Sequence, residues 1–267
     1  MNRIARRFEE LKARHETAFI PYITAGDPSL ARTEEIVLAL SKAGADIIEF
    51  GVPFSDPVGD GPVIAEAAQR ALAGGATLDH ILDLVTRLRK QTEVPILLFT
   101  YYNPVLAYGV PRFARDAAAA GVDGVLCVDL PAEEAGEYKA ELDASGVCTV
   151  FLIAPTTTEE RLDGILSKCS GFVYYVSRLG VTGERSDLAA DLGAAVARIK
   201  RKTGLPVAVG FGISTPEQAR VIAGMADAVV VGSAIVRLIA QLGDTPETSS
   251  EVRDYARKLA MASKGQA

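Results

Sequence analysis

Ala43-Gly44-Ala45-Asp46-Ile47-Ile48-Glu49-Phe50-Gly51 holds a helix end, a strand and a strand exit in one short run. Gly44 follows the amphipathic stretch Ser29–Ala43 and is placed to take the left-handed conformation that ends helices. Ile47 to Phe50 is apolar but for one acid, which suits a parallel strand covered on both faces. The same punctuation returns at Ala120-Gly121-Val122-Asp123, and in looser form at Ser145-Gly146-Val147, Thr203-Gly204-Leu205 and Ala223-Gly224-Met225. Working outward, strands are predicted at Ala18–Thr24, Asp46–Phe50, Pro95–Tyr101, Gly124–Val128, Cys148–Ile153, Phe172–Val176, Pro206–Gly210 and Ala228–Val231. Helical patterns lie between them, among them Leu78–Lys90, Ala132–Ala144 and Asp191–Lys202. One strand–helix unit recurs about every 25–35 residues, which predicts an α/β fold of the (β/α)8 TIM-barrel class. A dinucleotide-binding sheet would place G-x-G-x-x-G after the first strand, and Ala25-Gly26-Asp27-Pro28 is not that pattern. Additional helices are expected at Asn2–Ala13, Pro62–Ala73 and Pro246–Ser263. Ile4, Phe8 and Leu11 form a stripe suited to an N-terminal capping helix over the open end of the barrel. No linker interrupts the chain, so residues 1–267 are expected to form a single domain.

Composition narrows the function. A net charge of −6 argues against a nucleic-acid partner, which wants a basic face. No apolar run reaches the roughly 18 residues of a membrane span, and the basic start Met1-Asn2-Arg3-Ile4-Ala5-Arg6-Arg7 has no apolar segment behind it. Cys127, Cys148 and Cys169 are odd in number and widely spaced, as expected of a reduced, cytoplasmic protein. The two histidines, His15 and His80, fall at a helix end and a helix start, and no metal-ligand spacing is present. The nine lysines lie in helical patterns or the tail, away from strand ends, so Schiff-base chemistry is not expected. Acid–base work would fall to carboxylates, tyrosines or lysines.

In this architecture chemistry sits at the C-terminal ends of the strands. Glu49 shares an inward face with Ile47, and a carboxylate inside an apolar run is costly unless it is paired or used. The next segment, Val52-Pro53-Phe54-Ser55-Asp56-Pro57-Val58-Gly59-Asp60-Gly61-Pro62, is richer in Gly, Pro and Asp than a plain connector. Asp60 stands near a helix start and reads equally as an N-cap or as a catalytic group. Glycine loops end at Gly183, at Gly210-Phe211-Gly212 and at Gly232-Ser233, where backbone N–H groups and a helix start would suit a phosphate.

These residues resemble the alpha subunit of tryptophan synthase. The shared motifs are Glu49-Phe50-Gly51-Val52 with Pro53-Phe54-Ser55-Asp56-Pro57 and Asp60-Gly61-Pro62; Tyr102-Asn103-Pro104; Val128-Asp129-Leu130-Pro131; and Ala154-Pro155-Thr156-Thr157. Ser177-Arg178-Leu179-Gly180-Val181-Thr182-Gly183, Gly210-Phe211-Gly212-Ile213-Ser214 and Gly232-Ser233-Ala234-Ile235-Val236 complete the series, in order along the chain. Gly59 stands where many members carry Ala, and Tyr22 where Phe is common.

The resemblance implies retro-aldol cleavage of indole-3-glycerol phosphate to indole and glyceraldehyde 3-phosphate. It makes Glu49 the acid–base residue and gives Asp60 the charge developing at the indole N–H. It implies an indole pocket drawn from Tyr22, Leu98, Phe99, Leu126, Leu152 and Phe211, each of which reads equally as plain barrel core. Tyr174 would offer a hydroxyl near the reacting side chain, and Gly183, Gly212, Gly232 and Ser233 would hold the phosphate. The 178–190 segment would close as a lid, with Thr182 reaching toward Asp60. No cofactor is expected in this chain; pyridoxal phosphate belongs to a beta subunit, the expected partner in an alpha2beta2 heterotetramer. Pro53, Phe54, Asp56, Asn103, Pro104 and Pro131 are expected to face that partner. A stand-alone indole-3-glycerol-phosphate lyase, a non-catalytic allosteric barrel and, more distantly, a phosphate-sugar epimerase remain open at this point.

Overall fold

Runs of Val, Ile and Leu without polar alternation make strands that must be covered on both faces, and the chain satisfies them by wrapping helices around a ring of strands. The computed structural model of the chain describes residues 2–177, 185–210 and 212–266; for 185–190 it describes the backbone alone. The described strands are β1 (Ala18–Thr24), β2 (Ile48–Gly51), β3 (Ile96–Thr100), β4 (Gly124–Cys127), β5 (Cys148–Val150), β6 (Leu152–Ile153), β7 (Val173–Val176), β8 (Val207–Gly210) and β9 (Ala228–Val231). All pair in parallel, in the order β5-β4-β3-β2-β1-β9-β8-β7-β6. The two ends of this sheet, β5 and β6, are consecutive in the chain and separated only by Phe151. The Phe151 carbonyl accepts from the Tyr174 N–H at 3.3 Å. The predicted strand Cys148–Ile153 is thus present but divided, one half pairing with β4 and the other with β7, and the sheet curls into a barrel through it.

Alternation along the strands sorts side chains into two layers. Ile48, Phe50, Ile96, Leu98, Val125 and Val209 point outward and pack under the helices. Ile20, Ile47, Leu97, Leu126, Val150, Phe172 and Val230 point inward and fill the barrel. The helix Arg3–Arg14 closes the N-terminal end as expected: Ile4, Phe8 and Leu11 join the interior, with Phe8 against Phe172 at 5.8 Å between ring centroids. Toward the other end the filling loosens, and Phe99, Val128, Leu152 and Val176 are only partly buried. Among the described residues the barrel is plugged below and open above.

Three acids stand at strand starts on the plugged end. Asp46 accepts from the Phe19 N–H at 2.8 Å and from Arg7 and Lys264. Asp123 accepts from the Ile96 N–H at 2.8 Å, Arg89 at 2.7 Å and Arg3 at 3.1 Å. Asp227 accepts from the Val207 N–H at 2.8 Å and from Lys200. Each carboxylate satisfies an N–H at the start of a neighbouring strand, so the burial of Asp46 and Asp123 and the half-exposed place of Asp227 are structural.

Some local expectations change. Gly44 and Gly121 are left-handed caps at φ +99° and +94°. Gly224 is not: its φ is −69°, and the connector to Asp227 is one residue longer, which lets the chain turn without that conformation. Gly204 also lacks a positive φ; its helix ends earlier, at Lys200, and the connector turns over several residues. The helix expected at Ala132–Ala144 begins at Gly136, because Glu134 and Ala135 make tight turn bonds to Pro131 and Ala132 instead. The predicted Asp191–Lys202 helix runs Arg185–Lys200.

Candidate active site

Glu49 lies at the centre of β2, on the same inward face as Ile47, and is paired in register with Tyr22 of β1 and Leu97 of β3. It is only 1% exposed, its Oε1 has no hydrogen-bond partner, and no cation pairs with it among the described residues. Burial alone pushes its carboxyl up to about 8. The group is therefore protonated at neutral pH and able to give up a proton a little above it. Desolvation of an unpaired acid is costly, and among the described residues nothing offsets it.

Two tyrosines flank this acid in equivalent ways. Tyr22 leans toward the mouth until its hydroxyl occupies the space above Gly51, where a Cβ would lie 2.0 Å from the oxygen. Tyr174 of β7 does the same over Gly210, with 2.3 Å between its hydroxyl and a would-be Cβ. Gly51 and Gly210 thus serve as seats for aromatic rings. Sequence reading grouped Gly210 with a ligand-binding loop, but its α-position is occupied by Tyr174. The Tyr22 hydroxyl touches the Thr24 hydroxyl at 3.4 Å, and its ring meets Phe99 edge-on at 5.4 Å. Burial holds both phenols above their usual range, so both stay protonated.

Asp60 is half-buried in the loop after β2. Its N-cap reading does not survive: the cap of the helix Pro62–Ala73 is Gly61, with no side-chain cap bond. Burial raises the Asp60 carboxyl from its ordinary value, and the nearby Tyr101 hydroxyl pulls it back. Its neighbour Asp56 is exposed and bonded to Ser55, outside the cleft.

Of the pocket residues expected from sequence, Tyr22, Phe99, Leu126, Leu152 and Tyr174 all face the barrel interior or its mouth. Leu126 is fully buried, one layer below the partly open Phe99 and Leu152. Leu98 does not belong: it sits between Leu97 and Phe99, and strand alternation turns it outward among the helices. At the phosphate end, Gly232 is the N-cap of the helix Ser233–Leu242, Ser233 is exposed in its first turn, and Gly212 has φ +75°. Thr182, Gly183, Phe211 and the 178–184 part of the expected lid lie outside the described residues, as do the side chains of 185–190.

Tyr101 and Thr24 were not picked out from sequence. Extending the Leu97, Phe99 alternation by one step would have placed Tyr101 on the inward face, and Tyr22 similarly predicts Thr24. Other motif residues are scaffolding. Asp129 accepts from the Tyr102 N–H at 2.7 Å at the start of the helix Tyr102–Tyr108, and Thr157 accepts from the Ala154 N–H at 3.0 Å to close its loop. Among the described residues no group of three or more His, Cys, Asp and Glu side chains is arranged to hold a metal ion.

The site therefore offers a protonated buried acid, a second carboxylate nearby, an aromatic slot and a helix start suited to an anion. A family model for the tryptophan synthase alpha chain matches residues 8–264. The tryptophan synthase alpha chain of Citrifermentans bemidjiense is 56% identical over 237 residues, covering 89% of each chain. That of Geobacter sulfurreducens is 52% identical, covering 97% of this chain and 98% of its own. Among solved structures, tryptophan synthase subunit alpha from Legionella pneumophila superposes with a TM-score of 0.90 at 37% identity, covering 98% of both chains. A Mycobacterium tuberculosis tryptophan synthase structure matches with a TM-score of 0.89 at 38% identity, again over 98% of both.

Proposed function

The chain belongs to the tryptophan synthase alpha chain family, and on that footing we propose that Glu49 and Asp60 carry its reaction. The activity is that of the alpha chain: a carbon–carbon lyase reaction of tryptophan biosynthesis that cleaves indole-3-glycerol phosphate to indole and glyceraldehyde 3-phosphate. Cleavage needs a proton at C3 of the indole, which turns the ring into an electron sink, and loss of a proton from the hydroxyl on the attached carbon. Glu49, held protonated by burial, donates to C3. Its conjugate base then takes the hydroxyl proton as the carbon–carbon bond breaks. The bond's electron pair returns to the ring, the hydroxyl carbon becomes the aldehyde, and Glu49 ends in its starting state. Asp60, as the carboxylate, holds the indole N–H while positive charge develops at nitrogen.

One observation carries this reading: Glu49 is a buried acid with an unpartnered oxygen at the open end of the barrel. Tyr22, Phe99, Leu126 and Leu152 would enclose the indole, with Tyr174 beside the reacting side chain. Gly212, Gly232 and Ser233 would receive the phosphate; Gly183, Thr182 and Phe211 stay in the proposal on sequence grounds. We read the whole chain as one barrel domain that uses no cofactor of its own.

Alpha chains work with a beta chain. The finer proposal is an alpha2beta2 assembly with pyridoxal phosphate in the beta chain, in the cytoplasm. None of the described helices is long and apolar enough to cross a membrane. The partner would meet the C-terminal face of the barrel, where Val58 is 88% exposed and Leu106, Asp56, Asn103 and Pro131 are also exposed. Pro53 is buried and Phe54 is half-buried against Tyr101, so these two would support that surface more than form it. The test is indole release from indole-3-glycerol phosphate by the purified chain, with and without a beta chain. A low rate raised by the beta chain supports the assembly; full activity alone favours a stand-alone lyase, and none in either case a non-catalytic barrel.

A further inference from the structure

Tyr101 follows β3 by one residue and continues its alternation, so Leu97, Phe99 and Tyr101 share the inward face. Its side chain is almost fully buried and grips the loop after β2 at two points. The ring of Phe54 packs on the Tyr101 ring at 5.3 Å between centroids, with 35° between their planes. The Gly59 N–H donates to the Tyr101 hydroxyl oxygen at 2.9 Å. Residue 59 is close-packed: a Cβ there would come within 3.0 Å of Val128 Cγ1 and 3.2 Å of the Tyr101 oxygen. A phenol that accepts through its oxygen still has its own proton to give, and the Asp60 carboxyl lies close enough for the two groups to influence each other.

We propose that Tyr101 is a positioning residue for the cleavage reaction, fixing the Phe54–Asp60 loop and aiming the Asp60 carboxylate into the mouth of the barrel. The proposal rests on the reading that Asp60 meets the indole nitrogen. The hydroxyl receives the Gly59 N–H, and its own proton would turn to Asp60, so one side chain would set both the height of the loop and the direction of the carboxylate. It also favours the ionised form of Asp60, because a hydrogen bond to a carboxylate opposes the effect of burial. The phenol itself is held up to about 12 and does not titrate in the working range.

The experiment is a double-mutant cycle of Tyr101→Phe and Asp60→Asn, assayed for indole release in complex with a beta chain across pH, alongside thermal melts. Tyr101→Phe keeps the ring that packs on Phe54, so the melting temperature should barely move. Its kcat should fall roughly ten- to hundredfold, the worth of one hydrogen bond to a charged group, with little change in KM. The acid limb of the kcat profile should move to higher pH, because Asp60 loses the donor that kept it ionised. Added to Asp60→Asn, the Tyr101 change should cost nothing further. Wild-type kcat in Tyr101→Phe, or an equal loss in both backgrounds with the acid limb unmoved, overturns the positioning role while leaving the reading of Asp60 intact. Full activity in Asp60→Asn overturns that reading, and the positioning role with it.

Discussion

Asp123 at the plugged end of the barrel and Glu49 at the open end are buried to 2% and 1% exposure, yet their surroundings are opposite. Burial pushes both carboxyls up. Around Asp123, Arg89, the Ile96 N–H and Arg3 pull it back, whereas none of the described residues does so around Glu49. Asp46 repeats the paired arrangement. Asp27, in the loop after β1, is also buried but bonded to Arg70 through both carboxylate oxygens, at 2.8 and 2.9 Å. A place near the mouth therefore does not by itself leave an acid unpaired. The difference separates two uses of buried charge: the paired acids tie strand starts and loops together, and the unpaired one is kept for proton transfer.

The largest expected effect breaks the comparison at its open end. Glu49→Gln should cut the rate of indole release by about 10²–10⁴-fold, the range for general acid–base groups, while the fold persists. Its stability effect should depend on pH. With a folded pKa near 8 against an ordinary 4.5, the native state holds a proton that the unfolded chain releases between those values. The wild type therefore loses stability as pH rises through that window. Glu49→Gln should gain melting temperature relative to the wild type toward pH 8, and the gain should vanish near pH 4. A flat difference across that range would show that Glu49 is not protonated by burial.

Arg89→Met breaks the other end. Removing a main partner of Asp123, which keeps Arg3 and the Ile96 N–H, should destabilise the fold by about 1.5–3 kcal/mol, the worth of a hydrogen bond to a charged group. It should leave kcat near wild type at temperatures where the protein stays folded. Thermal melts and indole assays on the same sample check both halves, and a catalytic loss without a fall in melting temperature would contradict the division of roles.

Smaller changes sharpen the picture at the mouth. Ser233→Ala should raise KM by the equivalent of about 1.5–3 kcal/mol, one hydrogen bond to a charged group, with kcat little changed. Unchanged KM would remove Ser233 from the phosphate site. Gly59→Ala should have the least effect. The added methyl must displace Val128 or the Tyr101 hydroxyl by a few tenths of an ångström, so kcat should fall by no more than about the tenfold of one lost hydrogen bond. A larger drop would mean that the loop cannot absorb the shift.

What could be read from sequence follows from the range of the forces involved. Strands and their inward faces are local matters of period two, so Glu49 reads inward from Ile47; Tyr22 and Phe99 came from the family resemblance, and both pack on the inward face. Leu98, named beside Phe99 on the resemblance, fails the same alternation, and Tyr101 continues it. The division of the fifth strand at Phe151 was not legible, because it depends on two different neighbours pairing with its halves. Nor could the sequence say which buried acids were paired. Asp123 meets Arg89 and Arg3 from 34 and 120 residues away, and Glu49 differs from it only in what the fold brings near.

The most direct test is the protonation state of Glu49 itself, read as the infrared carbonyl band of a neutral carboxyl in the wild-type minus Glu49→Gln difference spectrum. The band should be present at pH 7 and disappear with a midpoint near 8. Its absence at pH 6 and above would show an ordinary, ionised carboxylate, and the account of Glu49 as the proton donor would fail.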